Sequence, residues 1–170
     1  MNNRLFFYPD YGRYVLFTAN ALEHMYRQVQ RRIWQREAGG EIYAFDPDAH
    51  GLIVTAATGP NKGDRRTRNS YNPDVNAAMG ERERLFALGQ HAVGLWHTHP
   101  EQFPSPSGPD KRTTEEYLRA FQGDRDRYLM VILGDRGNPV GMTVWATSKN
   151  TRTPWVALVE NSIHLLTNCS

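Results

Sequence analysis

The sequence is short of several features that often announce a function. It has one cysteine, Cys169, in 170 residues, so no disulfide framework can form within the chain, which fits a reducing compartment. Net charge is almost absent: 20 Lys and Arg stand against 18 Asp and Glu, leaving +2, too little to argue for nucleic acid as a partner. No apolar run approaches the roughly 18 residues that cross a bilayer. The opening stretch MNNRLFFYPDYGRYVLF is interrupted by Pro9, Asp10 and Gly12, where a signal peptide would keep its apolar centre intact. Repeats, low-complexity segments and an interdomain linker are also missing. The expectation is a soluble cytoplasmic protein with neither membrane nor nucleic acid as a partner, forming a single domain over 1–170. Its basic clusters, RQVQRRIWQR and KGDRRTR, read either as solvated surface or as a dock for an acidic partner.

The apolar pattern predicts a mixed α/β fold, with helices packed around a mixed sheet. YVLFT (14–18) reads as a strand, and Thr18 or Asn20 can cap a helix running to about Arg36 on a stripe of Leu22, Met25, Tyr26, Val29 and Ile33. EIYAF and GLIVTAA, parted by the turn-forming DPDAH, read as a hairpin. Residues 59–73 read as a polar loop. A helix from about Asp74 to Leu88 follows, with Val75, Ala78, Met79, Leu85 and Phe86 on one face, and then a buried strand, AVGLWHTH. Ser107 can cap a third helix with Thr114, Tyr117, Leu118 and Phe121 inward. RYLMVIL and PVGMTVWAT read as a second hairpin and WVALVE as a last strand.

The chemistry concentrates in GLWHTHPEQFPSPSGPD, residues 94–110. Side chains two apart on a strand share a face, so His97 and His99 project together from the strand end while Trp96 and Thr98 point the other way. Two imidazoles and a carboxylate suit Zn2+, and Asp110 at the start of the next helix can supply the carboxylate. Three protein ligands leave a fourth position for water, the layout of a catalytic site rather than a structural one. Such an ion brings the pKa of water to about 7, so hydroxide is available at neutral pH. Each piece also has a plainer reading. A lone His-x-His is more often surface or core histidine, and Ser-x-x-Asp opening a helix is also a capping box. The combination within fourteen residues is what carries weight.

His97-Thr98-His99-Pro100 followed by Ser107-Gly108-Pro109-Asp110 resembles the His-x-His-Pro-x6-Ser-x-x-Asp signature of the JAMM (MPN+) metalloproteases. Upstream, Glu37-Ala38-Gly39-Gly40 is similar to that family's glutamate motif at a helix-to-strand junction. The resemblance covers about residues 14–147. It implies the MPN/JAMM, cytidine-deaminase-like architecture and one zinc ion held by His97, His99 and Asp110. It also implies Glu37 as acid/base, leaving Glu41 as a strand residue at the cleft edge, and Ser107 as a donor to the oxyanion. Relatives cut after the C-terminal glycine of ubiquitin or a ubiquitin-like protein, so the implied partner is such a modifier and its conjugates. The short path from Asp110 to Tyr128 leaves no room for the long insertion of eukaryotic deubiquitinating relatives. The chain instead resembles minimal bacterial members that accompany ubiquitin-like conjugation in antiphage systems, where they mature the modifier or remove it.

The expected cleft walls are 59–73 and 101–106, and the expected substrate contacts are Arg65, Arg66, Arg68, Trp96 and Phe103. Other readings stay open: a non-catalytic MPN scaffold, a JAMM hydrolase of small amides or of sulfur-carrier proteins, and a relative of the DNA-repair-associated JAMM-like proteins. The last fits poorly, because His-Thr-His-Pro-Glu-Gln replaces their usual motif. The sequence is silent on oligomeric state and on the choice between maturation and deconjugation.

Overall fold

The stretch HAVGLWHT becomes the inner strand of the largest sheet, and the rest of the fold is arranged around it. A computed structural model of the chain describes residues 2–121, 125–149 and 155–161; Cys169 lies outside the described residues. In chain order the elements are β1 (Arg4–Phe7), β2 (Tyr14–Phe17), α1 (Ala19–Tyr26), β3 (Gly39–Ala44), β4 (Gly51–Val54), β5 (Ala56–Ala57), β6 (Arg65–Arg66), β7 (Tyr71–Asn72), α2 (Val75–Ala87), β8 (His91–Thr98), α3 (Gly108–Ala120), β9 (Arg127–Gly137), β10 (Val140–Ser148), β11 (Trp155–Ala157) and β12 (Val159–Glu160). A six-stranded sheet has the order β11-β10-β9-β8-β3-β5, a four-stranded sheet β12-β1-β2-β4, and β6-β7 form a small hairpin. The large sheet is mixed: β8 runs parallel to β9 and antiparallel to β3. The parallel step needs a crossover, and α3 supplies it.

Both faces of the large sheet are covered, and β9 shows why an unbroken apolar run is required there. Leu129, Val131 and Leu133 enter the main core with Phe6, Phe17, Leu22, Met25 and Trp96. Tyr128, Met130 and Ile132 alternate to the opposite side and are equally buried, with Tyr128 stacked on Tyr117 of α3 at 6.0 Å. His97 pairs in register with Ile132, so it too faces the α3 side. That parity brings the strand end and the start of α3 together.

Four expectations about the elements need correction. The helix begun by Thr18, whose side chain accepts from Ala21 N, ends at Tyr26 and not near Arg36. Gln28 N and Val29 N bond back three residues, to Met25 O and Tyr26 O. That tight turn leads the chain out of the helix so that Gln30 is buried and can donate to Gln35 O and Arg68 O. Ile33, expected inward, is exposed. The expected hairpin of EIYAF with GLIVTAA is split at Thr55: β5 pairs with β3, but β4 joins β2 in the other sheet. α2 buries Leu85 and leaves Val75, Met79 and Phe86 exposed, because its sheet-facing side is set by Arg82 reaching Glu41. The segment WVALVE forms two strands, one in each sheet, and RLFF forms a strand, β1, that the pattern alone did not signal. Among the described residues, no helix is long and apolar enough to cross a membrane.

Candidate metal centre and cleft

The two histidines converge because β8 ends where Pro100 stops it. Thr98 N bonds Ala38 O and His99 N bonds Leu133 O, so His99 is held in strand-like register with its side chain beside that of His97. The rings stack with centroids 4.7 Å apart. Asp110 arrives from α3, whose Ser107 cap fixes the first turn. Ser107 Oγ accepts from Asp110 N at 3.3 Å, and Ser107 N donates to Asp110 Oδ2 at 2.6 Å. The capping box is therefore real, and it aims the same carboxylate at the histidines. Asp110 Oδ2 lies 3.5 Å from His97 Nε2 and 3.6 Å from His99 Nε2.

These spacings fit an ion. Metal–donor bonds of about 2.1 Å in a tetrahedral site set donors roughly 3.4 Å apart. His97 Nε2 is buried without a hydrogen-bond partner, an arrangement that is costly unless something binds it. Glu37 shares the cluster, since Glu37, His97 and His99 place ligand atoms within 4.8 Å of one another. Its Oε1 stands farther off, at 3.9 Å from His97 Nδ1 and 4.0 Å from His99 Nε2. Asp110 thus stands closer to both histidines than Glu37 does, at spacings that suit a shared ion. A cleft of ≈ 530 Å³ opens onto all four, walled by Tyr71 on one side and by Pro100, Glu101 and Ser107 on the other.

Glu37 lies on an irregular segment rather than at a helix end, and its neighbours hold it by the backbone. Glu37 N donates to Thr67 O at 2.7 Å. Its carbonyl accepts from Arg66 Nε at 2.6 Å. Next to it, Ala38 N donates to the buried Thr98 hydroxyl, which donates in turn to Gln30 Oε1, both at 3.0 Å. The following glycines are required by close approach. A Cβ on Gly39 would sit 2.8 Å from both Trp96 O and the Tyr71 ring, and one on Gly40 would sit 1.9 Å from Thr58 O. Thr98→Val removes the hydroxyl that pairs Ala38 N and leaves two buried polar groups unmet. We expect a loss of about 2 kcal/mol in unfolding free energy together with reduced turnover, checked by denaturant titration and steady-state rates.

Burial pushes the Glu37 carboxyl up to about 7 in the metal-free protein, with the nearby Asp110 charge adding to the shift and His97 opposing it. Burial also acts to raise Asp110, but the adjacent His97 imidazole and the Ser107 hydrogen bonds outweigh it and hold that carboxyl well below the usual range. His99 is lowered by burial and by the His97 charge. A Glu37 pKa above its unfolded value means that, between about pH 4.5 and 7, the native state holds a proton the unfolded chain has released. Stability of the metal-free protein therefore falls as pH rises through that window. Metal-free Glu37→Gln should be more stable than metal-free wild type by about 2 kcal/mol at pH 8, after allowance for water in the open cleft. The gap should close below pH 4.5, and thermal melts across pH test it.

The remaining residues expected at the substrate surface divide. Trp96 is not there: it is 1% exposed in the core, with Nε1 bonded to Thr58 O, because its parity on β8 is opposite to that of His97. Arg66 and Arg68 point inward, Arg66 to the carbonyls of Glu37 and Arg36 and Arg68 to those of Arg32 and Ile33; backbone carbonyls of the irregular 31–37 segment need donors, and these two guanidiniums supply them. Arg65 is exposed on β6, and Phe103 is 82% exposed. Glu41 is not at the cleft edge. It is 3% exposed, gripped by Arg82 through two nitrogens and by the Tyr43 hydroxyl. Glu101 is expected from the sequence only as part of the 101–106 cleft wall, yet its Oε1 lies 2.9 Å from His99 Nδ1; a carboxylate two residues past a histidine is the available signal.

Residues 18–148 match the family described as prokaryotic homologs of the JAB domain. The chain is 32% identical over 121 residues to a CD-NTase/cGAS isopeptidase of Pseudomonas aeruginosa, covering 69% of this chain and 75% of that one. It is 29% identical over 101 residues to the probable metalloprotease y4qB of Sinorhizobium fredii, covering 57% of this chain and 62% of that one. It is 34% identical over 70 residues to a desampylase of Haloferax volcanii, covering 41% and 49%. The match thus spans less than two thirds of the Sinorhizobium and Haloferax proteins. The solution structure of protein DSY2949 from Desulfitobacterium hafniense superposes with a TM-score of 0.58 at 16% identity, covering 85% of this chain and 88% of that one, a likeness of fold.

Proposed function

The chain belongs to the prokaryotic homologs of the JAB domain, and from that premise we propose that it is a zinc-dependent peptidase or isopeptidase cutting after the C-terminal glycine of a ubiquitin-like protein. The observation that carries the proposal is that Asp110 Oδ2 lies within 3.6 Å of both His97 Nε2 and His99 Nε2, with Glu37 beside the two histidines. His97, His99 and Asp110 hold the ion. A zinc ion there supplies Lewis acidity, making water a nucleophile near neutral pH and polarising an amide carbonyl.

Everything else falls to the chain. Glu37, pinned at both its N–H and its carbonyl, takes the proton from the attacking water and passes it to the leaving amine. Ser107 Oγ accepts from Asp110 N, so its own hydrogen is free to point into the cleft. It donates to the oxygen that gains charge as the carbonyl carbon becomes tetrahedral. The modifier's tail lies extended between the 69–71 edge of the β6-β7 hairpin and the 100–101 wall, recognised through its backbone. Arg65 and Phe103, both exposed, are assigned to contacts with the modifier body.

The relatives named isopeptidase and desampylase support a conjugated modifier as substrate. We place this activity in a bacterial conjugation system of the antiphage kind, in keeping with relatives named for CD-NTase/cGAS. The discriminating experiment offers one tail sequence in two forms, as a short peptide and fused behind a folded ubiquitin-like protein. The proposal predicts cleavage of the fusion at its terminal glycine and little turnover of the peptide. Equal turnover of both identifies a small-amide hydrolase instead.

A further inference from the structure

We infer that Glu101 is a positioning residue for the metal centre, holding the His99 imidazole in the tautomer and orientation that aim Nε2 at the ion; the inference rests on the ion site proposed above. A neutral imidazole carries its hydrogen on one nitrogen only, and the partner of one nitrogen decides what the other can do. Glu101 Oε1 is 2.9 Å from His99 Nδ1. An ionised carboxylate only accepts, so this contact places the hydrogen on Nδ1 and leaves the Nε2 lone pair toward Asp110 Oδ2, 3.6 Å away. The Glu37 carboxylate does not play this part for His97, since Glu37 Oε1 stands 3.9 Å from His97 Nδ1, beyond hydrogen-bonding range.

The Glu101 side chain is half exposed, and an isolated exposed pair contributes little to stability. Its backbone, however, is fixed. Asp135 N donates to Glu101 O at 3.0 Å. The segment lies flush against the β9-β10 end because glycines stand beneath it: a Cβ on Gly134 would sit 2.6 Å from Glu101 O, and one on Gly141 would sit 2.8 Å from Gln102 O. His99 is fixed in turn by its amide bond to Leu133 O at 2.8 Å. Both ends of the Glu101–His99 contact therefore start from held backbone, which makes the carboxylate a stable orienting partner. Partners of this kind typically change metal affinity about 10- to 100-fold when removed.

The test measures zinc affinity by competition with a chromophoric chelator for wild type, Glu101→Ala, Glu101→Gln and Asp110→Asn. Nitrogen NMR of the histidine rings in the zinc-free wild type, above pH 8, reads the His99 tautomer. We expect His99 protonated at Nδ1 in the wild type. We expect zinc binding about 10- to 100-fold weaker in Glu101→Ala, with the melting temperature of the zinc-free protein unchanged, and near-complete rescue in Glu101→Gln, whose amide oxygen still accepts from Nδ1. A wild-type His99 protonated at Nε2 overturns the inference without any variant. So does Glu101→Ala affinity within about twofold of wild type while Asp110→Asn loses zinc. Zinc held equally well by Asp110→Asn overturns the ion site itself, and this inference with it.

Discussion

Glu37→Gln should lower turnover by about 100- to 10,000-fold while leaving the ion in place. The substitution keeps the shape of the side chain and the two backbone bonds, Glu37 N to Thr67 O and Arg66 Nε to Glu37 O. What it removes is the capacity to take and return a proton beside His97 and His99. The closer donors to the histidines come from Asp110, so zinc content should remain near one equivalent. Rate and metal content measured on the same preparation separate the two roles. Turnover near the wild-type level would show that the proton moves through another group. Glu41→Gln is the natural companion, because Glu41 is the other acidic residue of the motif region. Its carboxylate is enclosed by Arg82 and Tyr43, so its loss should act on folding before chemistry.

Arg82→Leu should destabilise the fold by about 3 kcal/mol. Glu41 is 3% exposed, and Arg82 of α2 reaches it through both Nε and Nη2. Removing the guanidinium leaves a buried carboxylate held only by the Tyr43 hydroxyl, near the buried Tyr128 and the half-buried Tyr117. The arginine is itself about one-third exposed, which keeps the cost toward the lower end for a broken buried pair. Arg82→Leu combined with Glu41→Leu removes both charges and should recover much of the loss. Denaturant unfolding of the three variants measures this, and a double variant no better than Arg82→Leu would contradict it.

The parts of the fold that were legible in the sequence are those governed by local rules. Ser107 and Asp74 announce helix starts because a cap needs only its own turn. RYLMVIL and PVGMTVWAT read as a hairpin because two strand-forming runs and the turn between them are adjacent in the chain, and His97 and His99 share a side because strand parity is local. The parts that were not legible depend on distant partners. Helix α1 stops ten residues before the expected Arg36 because buried Gln30 finds Arg68 O and Thr98 Oγ1, 38 and 68 residues away. GLIVTAA divides between two sheets because β2 claims its first half. Arg66 and Arg68 look like free cations in a polar loop, and only the fold shows them holding the segment that carries Glu37. Trp96 looks like a substrate contact by proximity to His97, yet the same parity argument that pairs the histidines sends it into the core.

The most direct measurement is intact-mass analysis of a ubiquitin-like protein bearing a short C-terminal extension, incubated with the wild-type protein, with chelator-treated protein, and with chelator-treated protein given zinc again. The account predicts loss of the extension at the terminal glycine, no loss after chelation, and recovery on adding zinc, with Asp110→Asn inactive throughout. Cleavage that persists in metal-free protein, or in Asp110→Asn, would contradict it.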